Sequence, residues 1–261
     1  MRLTALNTLV LIPTYNNAGT LEDVVRRALL QAYPVLVVDD GSTDSTPELL
    51  KALQGAPQNQ VWHFSQQGSR APVKADLCSR LSVITHKVNL GKGSALKTGF
   101  VEARRLGYRF VVTLDADGQH FPEDIPALLE VGGENTLVVG ARSIQGASGG
   151  SSFANKFSNF WFKVFTWKNL PDTQTGFRIY PIEQLPSLSL LSARYEAEFA
   201  LLVFSAWKGV KLVPAPVQVA YPDNRVSHFR PVADFLRITL LNCLLLVLSL
   251  FYGWPRMLLH Q

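Results

Sequence analysis

The sequence is poor in the residues that build disulfide scaffolds and zinc sites. Only two cysteines occur among its 261 residues, Cys78 and Cys243, far apart and in no metal-ligand spacing. This argues against a disulfide framework and favours a reducing cytoplasm. The start of the chain, Met1 to Asn7, also lacks the long apolar run of a secretory signal peptide, so we expect none there.

Several nucleotide-binding and nucleic-acid-binding patterns are also missing. The chain contains neither a P-loop nor a Gly-x-Gly-x-x-Gly fingerprint. No helix-turn-helix, zinc-finger or RNA-binding signature accompanies its modest net charge of +5, and we therefore expect no nucleic-acid partner. Basic residues gather near the end of the chain beside apolar sequence, a combination that favours an anionic membrane surface or a phosphorylated ligand.

What the first half does contain is an alternation of strand and helix patterns. Short apolar runs, closed by polar turns, predict strands at residues 9–12, 35–38, 83–85 and 110–114. Helical patterns lie between them: one that Thr20 caps, with Asp23 as an approximate capping box, one starting near Thr46, and one over Gly93 to Leu106. The alternation predicts an α/β fold with a mostly parallel sheet flanked by helices. Only Gln54 to Leu81 breaks this rhythm.

The most informative motif is Asp115-Ala116-Asp117, which directly follows the last of these strands. Carboxylates at the carboxyl end of a strand in an open sheet point into the crevice where ligands bind. Two of them repel each other unless a cation or a proton lies between them, and Mg²⁺ prefers carboxylate and phosphate oxygens. The alternative is a polar turn with solvated aspartates, so the motif needs support from the other strand ends.

Three other strand ends or helix starts of the same predicted sheet also carry polar motifs. Asp39-Asp40-Gly41-Ser42 places Asp40 where it could accept hydrogen bonds from a nucleobase or a ribose hydroxyl. Pro13-Thr14-Tyr15-Asn16 would let Tyr15 pack on the base. Asn89-Leu90-Gly91-Lys92-Gly93 precedes a helix, where glycine backbone N–H groups and an ammonium suit a phosphate. The four segments together favour a metal-diphosphate site.

In this order, the four segments resemble those of family 2 glycosyltransferases of the GT-A fold. They are most similar to the polyprenyl-phosphate (dolichol-phosphate) sugar synthase branch. Three later segments resemble the acceptor-side motifs of that branch: Gly140-Ala141-Arg142, Asp172–Tyr180 and Arg225–Phe229. The resemblance covers roughly Leu9 to Arg230. It implies a Rossmann-like GT-A catalytic domain over residues 1–230 and an inverting transfer of a sugar from a nucleoside diphosphate donor.

The resemblance also implies roles for individual residues. Mg²⁺ or Mn²⁺ would be held by Asp115, Asp117 and Gln119. The donor would contact Pro13, Tyr15, Asp40, Lys92, Asp115 and Asp117. The residues expected to carry catalysis are Asp117, Arg142, Arg178 and Glu198, and those expected to bind the acceptor are Arg142, Arg178, Arg225 and Ser227. His120 is expected beside the site rather than on the metal, and His86 at a strand end.

The acceptor class remains open between two chemistries. A lipid phosphate is already largely ionised at pH 7, because its second pKa is about 6, and it needs arginine clamps. A sugar hydroxyl must lose a proton to a base, for which Glu196 and Glu198 are the candidates. Only one of these should face the site, because they lie two apart on a predicted helix. A nucleotidyltransferase and a non-catalytic membrane adaptor are the rival functions.

The carboxyl-terminal sequence differs in character from the rest. Ile238 to Trp254 is almost wholly apolar but slightly shorter than a typical span of about 20 residues. It could be a short transmembrane helix, a helix in the interface or a buried terminal helix. Phe153 to Trp167 is aromatic and basic, which favours a membrane interface or packing on the core. We therefore expect residues 231–261 to associate with the cytoplasmic face of a membrane, as a peripheral or single-pass segment. The sequence predicts no oligomeric state.

Overall fold

The computed structural model describes residues 7–55, 80–142, 149–188, 196–220 and 231–259, with residues 149–153 and 231–237 as backbone only. Seven strands form one sheet in the order β3-β2-β1-β4-β6-β5-β7. Their bounds are β1 Thr8–Thr14, β2 Val35–Asp39, β3 Leu81–Thr85, β4 Phe110–Thr113, β5 Thr136–Arg142, β6 Arg178–Pro181 and β7 Lys211–Val217.

Every pairing in this sheet is parallel except those of β6, which runs antiparallel to β4 and β5. The sequence prediction of a mostly parallel sheet is therefore confirmed. β1, β2 and β4 are buried along their whole length, as strands covered on both faces must be. Their carboxyl ends meet at one edge, so the polar residues that follow them are brought together there.

Helices cover both faces of the sheet and enclose two apolar cores. Their bounds are α1 Ala18–Leu30, α2 Thr46–Gly55, α3 Lys92–Arg105, α4 Ile125–Glu130, α5 Gly149–Thr166, α6 Glu196–Trp207, α7 Pro231–Leu248 and α8 Trp254–Leu259. The predicted helix starts near Thr46 and Gly93 are confirmed. Most of the irregular Gln54 to Leu81 stretch lies outside the described residues.

The predicted start of α1 is wrong. The helix begins at Ala18 with Asn17 as its N-cap residue, and Thr20 lies inside the first turn. The Thr20 hydroxyl donates instead to the carbonyl of Ala116 at 2.6 Å. A tertiary hydrogen bond therefore takes the side chain that the capping-box pattern would have used locally.

The carboxyl-terminal segment packs on the rest of the fold, chiefly on α6. α7 and α8 are joined by a π-helical turn, Ser249–Gly253, and both contact α6. A Cβ atom on Gly253 would come within 2.3 Å of the Trp207 indole, so the backbone of the turn lies directly on that ring. Leu245 and Met257 belong to the same core cluster as Trp207.

Candidate active site

The turn after β4 is held by its own side chains and by α1. Gly118 has a φ of 73°, a left-handed conformation that favours glycine. Asp117 Oδ1 accepts a hydrogen bond from the Gln119 backbone N–H at 3.0 Å. The Thr20 hydroxyl also holds the carbonyl of Ala116, the residue between Asp115 and Asp117. Together these contacts fix the backbone that carries the two aspartates.

Lys92 is the electrostatic centre of the site. Its Nζ atom lies 2.6 Å from Asp115 Oδ1 and 2.6 Å from Glu198 Oε2. Burial opposes the charge on Lys92, but the two carboxylates outweigh it and raise the pKa of the ammonium. Burial likewise opposes ionisation of Asp115, and the neighbouring Lys92 more than offsets it, so the pKa of Asp115 is lowered. This network keeps both groups charged.

Asp115 is also seated against a glycine of the loop before β6. A Cβ atom at Gly176 would stand 2.3 Å from Asp115 Oδ2. Real side chains essentially never approach so closely, so this position requires glycine if the carboxylate is to keep its place. Thr113 reinforces the contact, because its hydroxyl donates to the Gly176 carbonyl at 2.7 Å.

Asp40 orders the loop that carries Lys92. Its Oδ1 accepts from the Leu90 N–H at 3.0 Å and its Oδ2 from the Gly91 N–H at 2.6 Å. His86 Nδ1 lies 2.7 Å from Asp40 Oδ1, and its Nε2 lies 2.9 Å from the Thr98 hydroxyl. The carboxylate is only 2% exposed. Asp40 thus supports the start of α3 directly, and its contact with a nucleoside stays a prediction.

The loops after β1 and β2 are joined through Asn16. Its Oδ1 accepts from the Thr43 N–H at 2.8 Å, and its N–H donates to the Ser42 hydroxyl at 2.9 Å. Sequence reasoning did not assign this role, although the positive φ of 53° suits asparagine. Pro13 lies within β1, and Tyr15 follows that strand as a partly buried side chain. Their contacts with a donor stay predictions.

Arg142 ends β5 in an ion pair with Asp172. Its Nε and Nη2 both donate to that carboxylate, the latter at 3.0 Å. Asp172 Oδ1 also accepts the Gln174 and Thr175 N–H groups, which makes it a fixed anchor. Such a two-bond pairing orients a guanidinium strongly. Asp172 belongs to the Asp172–Tyr180 motif, but the motif alone does not predict its pairing with Arg142.

Arg178 is buried and bonded to neighbouring protein groups. It is 1% exposed, and its guanidinium donates to the carbonyls of Thr173 and Glu198 and to the Tyr180 hydroxyl, at 2.9, 2.8 and 3.1 Å. Its expected role in catalysis and acceptor binding stays a prediction. Arg178 ties the loop before β6 to the first turn of α6.

Of the two candidate bases, Glu198 is the one whose carboxylate lies in the site, through its bond to Lys92. Its Oε1 is buried and has no hydrogen-bond partner within the described part of the chain. Glu196 is the first residue of α6 and is partly exposed. Arg225 and Ser227 lie outside the described residues.

His120 lies behind the turn that follows β4. It is 3% exposed, its ring stands 5.4 Å from that of Phe177, and its backbone bridges to Val219. Burial lowers the pKa of His120, although Asp115 opposes the effect, which favours the neutral ring. The position beside the site agrees with the sequence expectation.

The donor atoms at the tip of β4 fit a hard divalent cation. Asp115 and Asp117 supply carboxylates, and Gln119 supplies an amide oxygen. Within the described ranges, no group of three or more His, Cys, Asp or Glu side chains could hold a metal. A protein site here would thus combine two carboxylates with Gln119 and leave the remaining positions to substrate oxygens.

Comparison with known proteins gives a family. The protein-family model described as glycosyl transferase family 2 matches residues 9–185 of this chain. The polyprenol monophosphomannose synthase of Mycolicibacterium smegmatis is 31% identical, over 84% of this chain and 80% of its own. The undecaprenyl-phosphate mannosyltransferase of Micrococcus luteus is 29% identical, over 80% of this chain and 82% of its own.

Solved structures share the fold. Glucosyl-3-phosphoglycerate synthase of Mycobacterium tuberculosis, in complex with Mn²⁺, uridine diphosphate and phosphoglyceric acid, superposes with a TM-score of 0.60 at 18% identity, covering 93% of this chain and 78% of that one. Mannosyl-3-phosphoglycerate synthase of Rubrobacter xylanophilus gives a TM-score of 0.54 at 17% identity, covering 97% and 74%. The chain therefore belongs to glycosyl transferase family 2 and is a glycosyltransferase with the GT-A-like fold.

Proposed function

We propose that this enzyme transfers a sugar, with inversion, from a nucleoside diphosphate donor to a polyprenyl phosphate at a membrane surface. The observation that carries the proposal is the pairing of Arg142 with Asp172 at the end of β5. This pairing fixes the orientation of the Arg142 guanidinium, which we assign to an anionic acceptor, while Glu198 is held in an ion pair with Lys92. The names of the two relatives above support the same acceptor class.

On the donor side, Asp115, Asp117 and Gln119 would hold Mg²⁺ or Mn²⁺. The cation would neutralise the charge that builds on the leaving diphosphate. Pro13, Tyr15 and Asp40 are assigned to the nucleoside. Lys92 is assigned to the diphosphate, and in the structure its ammonium pairs with the carboxylate of Asp115. Uridine diphosphate and Mn²⁺ in a solved relative of the same fold support a donor of this class.

On the acceptor side, an ionised phosphate oxygen attacks the anomeric carbon while the bond to the donor diphosphate breaks. No proton has to leave the nucleophile, because the phosphate is already largely ionised at neutral pH. Arg142 would hold this phosphate, with Arg225 and Ser227 as further acceptor-binding residues. Arg178 is assigned a supporting role, because its bonds fix the loop that carries Asp172.

The proposal is tested by replacing Asp117 with alanine and by chelating divalent cations. Purified enzyme is given nucleotide sugars with and without a polyprenyl phosphate, and the nucleoside diphosphate and lipid-linked sugar are measured. We expect both treatments to abolish transfer while the circular dichroism spectrum stays unchanged. Full activity after either treatment would contradict the metal-dependent mechanism. Release of pyrophosphate would favour a nucleotidyltransferase, and a lack of nucleoside diphosphate binding would favour an adaptor.

A hydroxyl acceptor is the second candidate, because the buried Glu198 Oε1 has no partner in the described structure and could receive a proton. The Glu198→Gln variant separates the two chemistries. Loss of a general base should lower kcat by about 10²- to 10⁴-fold and remove the acidic limb of the pH profile. With a phosphate acceptor, we expect a smaller loss and an unchanged profile. Glu196→Gln is the matched control.

A further inference from the structure

We propose that α5 and the two carboxyl-terminal helices form one face that lies in the plane of an anionic lipid surface and does not span it. The proposal rests on the membrane location in the proposed function and specifies how the attachment is made.

The outer face of α5 combines aromatic and basic side chains. Lys156, Phe160 and Lys163 recur at helical spacing, and Trp167 directly follows the helix. All four are exposed, Phe160 to 59% and Trp167 to 47%. Phe162 and Phe165 point the other way and are fully buried. Aromatic rings flanked by lysines are typical of helices that lie in a membrane interface, where long cationic side chains reach the headgroups.

The carboxyl-terminal helices have a buried and an exposed side from Asn242 to Met257. The buried stripe runs through Asn242, Leu245, Ser249, Gly253 and Met257. The exposed apolar residues lie between these positions or just beyond them: Leu240, Leu244, Leu246, Val247, Leu250, Phe251, Tyr252, Leu258 and Leu259. Phe251 and Leu259 are more than four-fifths exposed, which is costly in water for side chains of this size.

The length of the buried stripe argues against a spanning helix. Ile238–Leu259 is long and apolar enough to cross a membrane by length and composition. However, its inner side contacts the catalytic domain from Asn242 to Met257, roughly 22 Å at about 1.5 Å per residue. A helix crossing the bilayer at that place would carry the domain into the hydrocarbon core. Lying in the interface exposes only its outer side to lipid.

The two parts of the face are continuous and connected to the active site. Trp167 at the end of α5 stacks on Trp254 at the start of α8, with ring centroids 5.5 Å apart. On α5, Asn159 donates to the Pro171 carbonyl at 2.8 Å and accepts from the Thr173 N–H at 3.0 Å. These bonds flank Asp172, so the helix at the lipid surface also supports the residue that anchors Arg142.

Charge decides which kind of surface fits. The segments 149–166 and 238–259 contain no acidic residue, whereas they include Lys156, Lys163 and Arg256. Arg256 donates to the Tyr252 hydroxyl at 2.9 Å, which keeps the guanidinium beside an exposed aromatic ring. A face that is apolar with only positive charges at its margin matches anionic lipid headgroups.

The first experiment measures sedimentation of the full-length protein with phosphatidylcholine vesicles and with vesicles that also contain phosphatidylglycerol. We expect tighter binding to the latter. Lys156→Gln and Lys163→Gln should each weaken it about fivefold, the effect of one cation near a charged surface. Phe160→Ser combined with Leu244→Ser should weaken binding to both by about tenfold. Lys51→Gln, and Val101→Ser with Val131→Ser, change exposed residues elsewhere and should bind as the wild type does.

The second experiment locates a carboxyl-terminal tag in sealed membrane vesicles of known orientation. An in-plane helix leaves the tag and the catalytic domain accessible to protease from the same side. A tag protected on the opposite side overturns the proposal in favour of a single span. Equal vesicle binding by all variants also overturns it, as does a dimer in solution that Phe160→Ser with Leu244→Ser dissociates.

Failure of this proposal is distinguishable from failure of the proposed function. Transfer to a short-chain, water-soluble prenyl phosphate reports the chemistry without a lipid surface. The lysine and apolar variants should keep wild-type transfer to that acceptor and a wild-type thermal midpoint. A variant that loses both would point to the fold rather than to lipid binding.

Discussion

At the scale of single residues, Lys92 determines the charge balance of the site. Its ammonium is bonded to both Asp115 and Glu198, one of which is assigned to the metal and the other to the acceptor side. In the proposed function, a divalent cation bound with the donor would replace Lys92 at Asp115. The carboxylate would then be paired with a positive charge both before and after the donor binds.

Lys92→Met should leave two largely buried carboxylates without their shared cation. We expect the free energy of unfolding to fall by about 3 kcal/mol, the usual cost of removing one partner of a buried ion pair. Mn²⁺ should restore part of the loss, because it would bind Asp115, and the gain should exceed that of the wild type. Chemical denaturation with and without Mn²⁺ measures both effects. Lys97→Met, an exposed change on the same helix, is the control.

Gly176→Ala should displace the Asp115 carboxylate, since the new Cβ would stand 2.3 Å from Oδ2. The backbone at Gly176 is not in the left-handed region, so alanine meets no conformational penalty beyond this clash. We expect apparent Mn²⁺ affinity to fall about 10- to 100-fold, as when a supporting contact of a metal ligand is lost. Metal titration of sugar transfer measures the change. Gly19→Ala, with open space around its Cβ, should bind Mn²⁺ normally.

At the scale of elements, Asp44 connects the starts of two helices. Its Oδ1 accepts from the Thr46 N–H at 2.9 Å, at the start of α2, and its Oδ2 from the Ala18 N–H at 3.3 Å, at the start of α1. Burial opposes ionisation of this carboxyl, but the hydrogen bonds from Thr46 and Ala18 outweigh it, so the pKa of Asp44 is lowered. The loop between β2 and α2 therefore depends on a charged cap.

Asp44→Ala should lower the free energy of unfolding by about 1 kcal/mol at pH 7. Because the folded pKa lies below the unfolded value of about 3.9, the stabilisation is fully present above that pH and is lost as the pH falls through the folded pKa. The difference between wild type and variant should therefore shrink in that acidic range. Denaturation at a series of pH values measures it, and a constant difference would contradict the role of the charge. Asp44→Asn keeps an acceptor oxygen and serves as the comparison.

Among the elements, the buried strands were predicted correctly from the sequence. Fully buried strands such as β2 and β4 are continuous apolar runs, and local composition is enough to predict them. The predicted start of α1 was wrong because Thr20 bonds to Ala116, a residue far away in the chain, and this contact cannot be read from local sequence. The hydrogen bonds of Arg178 could not be read from the sequence for a similar reason, because the pattern shows an arginine but not the carbonyls of Thr173 and Glu198 that accept from it.

At the scale of the whole molecule, the expected boundary between residues 1–230 and 231–261 has an energetic consequence. Leu245, Gly253 and Met257 contact a core that includes Phe162 and Trp207. Removing them would expose apolar surface that the catalytic domain needs covered. The sequence identified the apolar segment, but its contacts with α6 depend on tertiary packing and could not be read from composition.

Truncation after Asp234 should therefore destabilise the enzyme and not merely release it from membranes. Full burial of each Leu or Met side chain contributes about 1.5 to 3 kcal/mol, so we expect a lower thermal midpoint and aggregation. Differential scanning calorimetry compares the truncated chain with Leu244→Ser, which alters only the exposed side of α7. A truncated protein that is soluble and unfolds at the wild-type midpoint would show that the boundary separates independent units.

The contact between Gly176 and Asp115 limits how this enzyme can be re-engineered. The segment Pro171–Phe177 is the natural choice for a loop graft intended to change the acceptor, because it carries the anchor of Arg142. The same loop contacts the Asp115 carboxylate through Gly176, on the side assigned to the donor. If Arg142 binds the acceptor as proposed, a graft meant to change the acceptor would also alter the contact with Asp115, so any transplanted loop must bring a glycine to position 176.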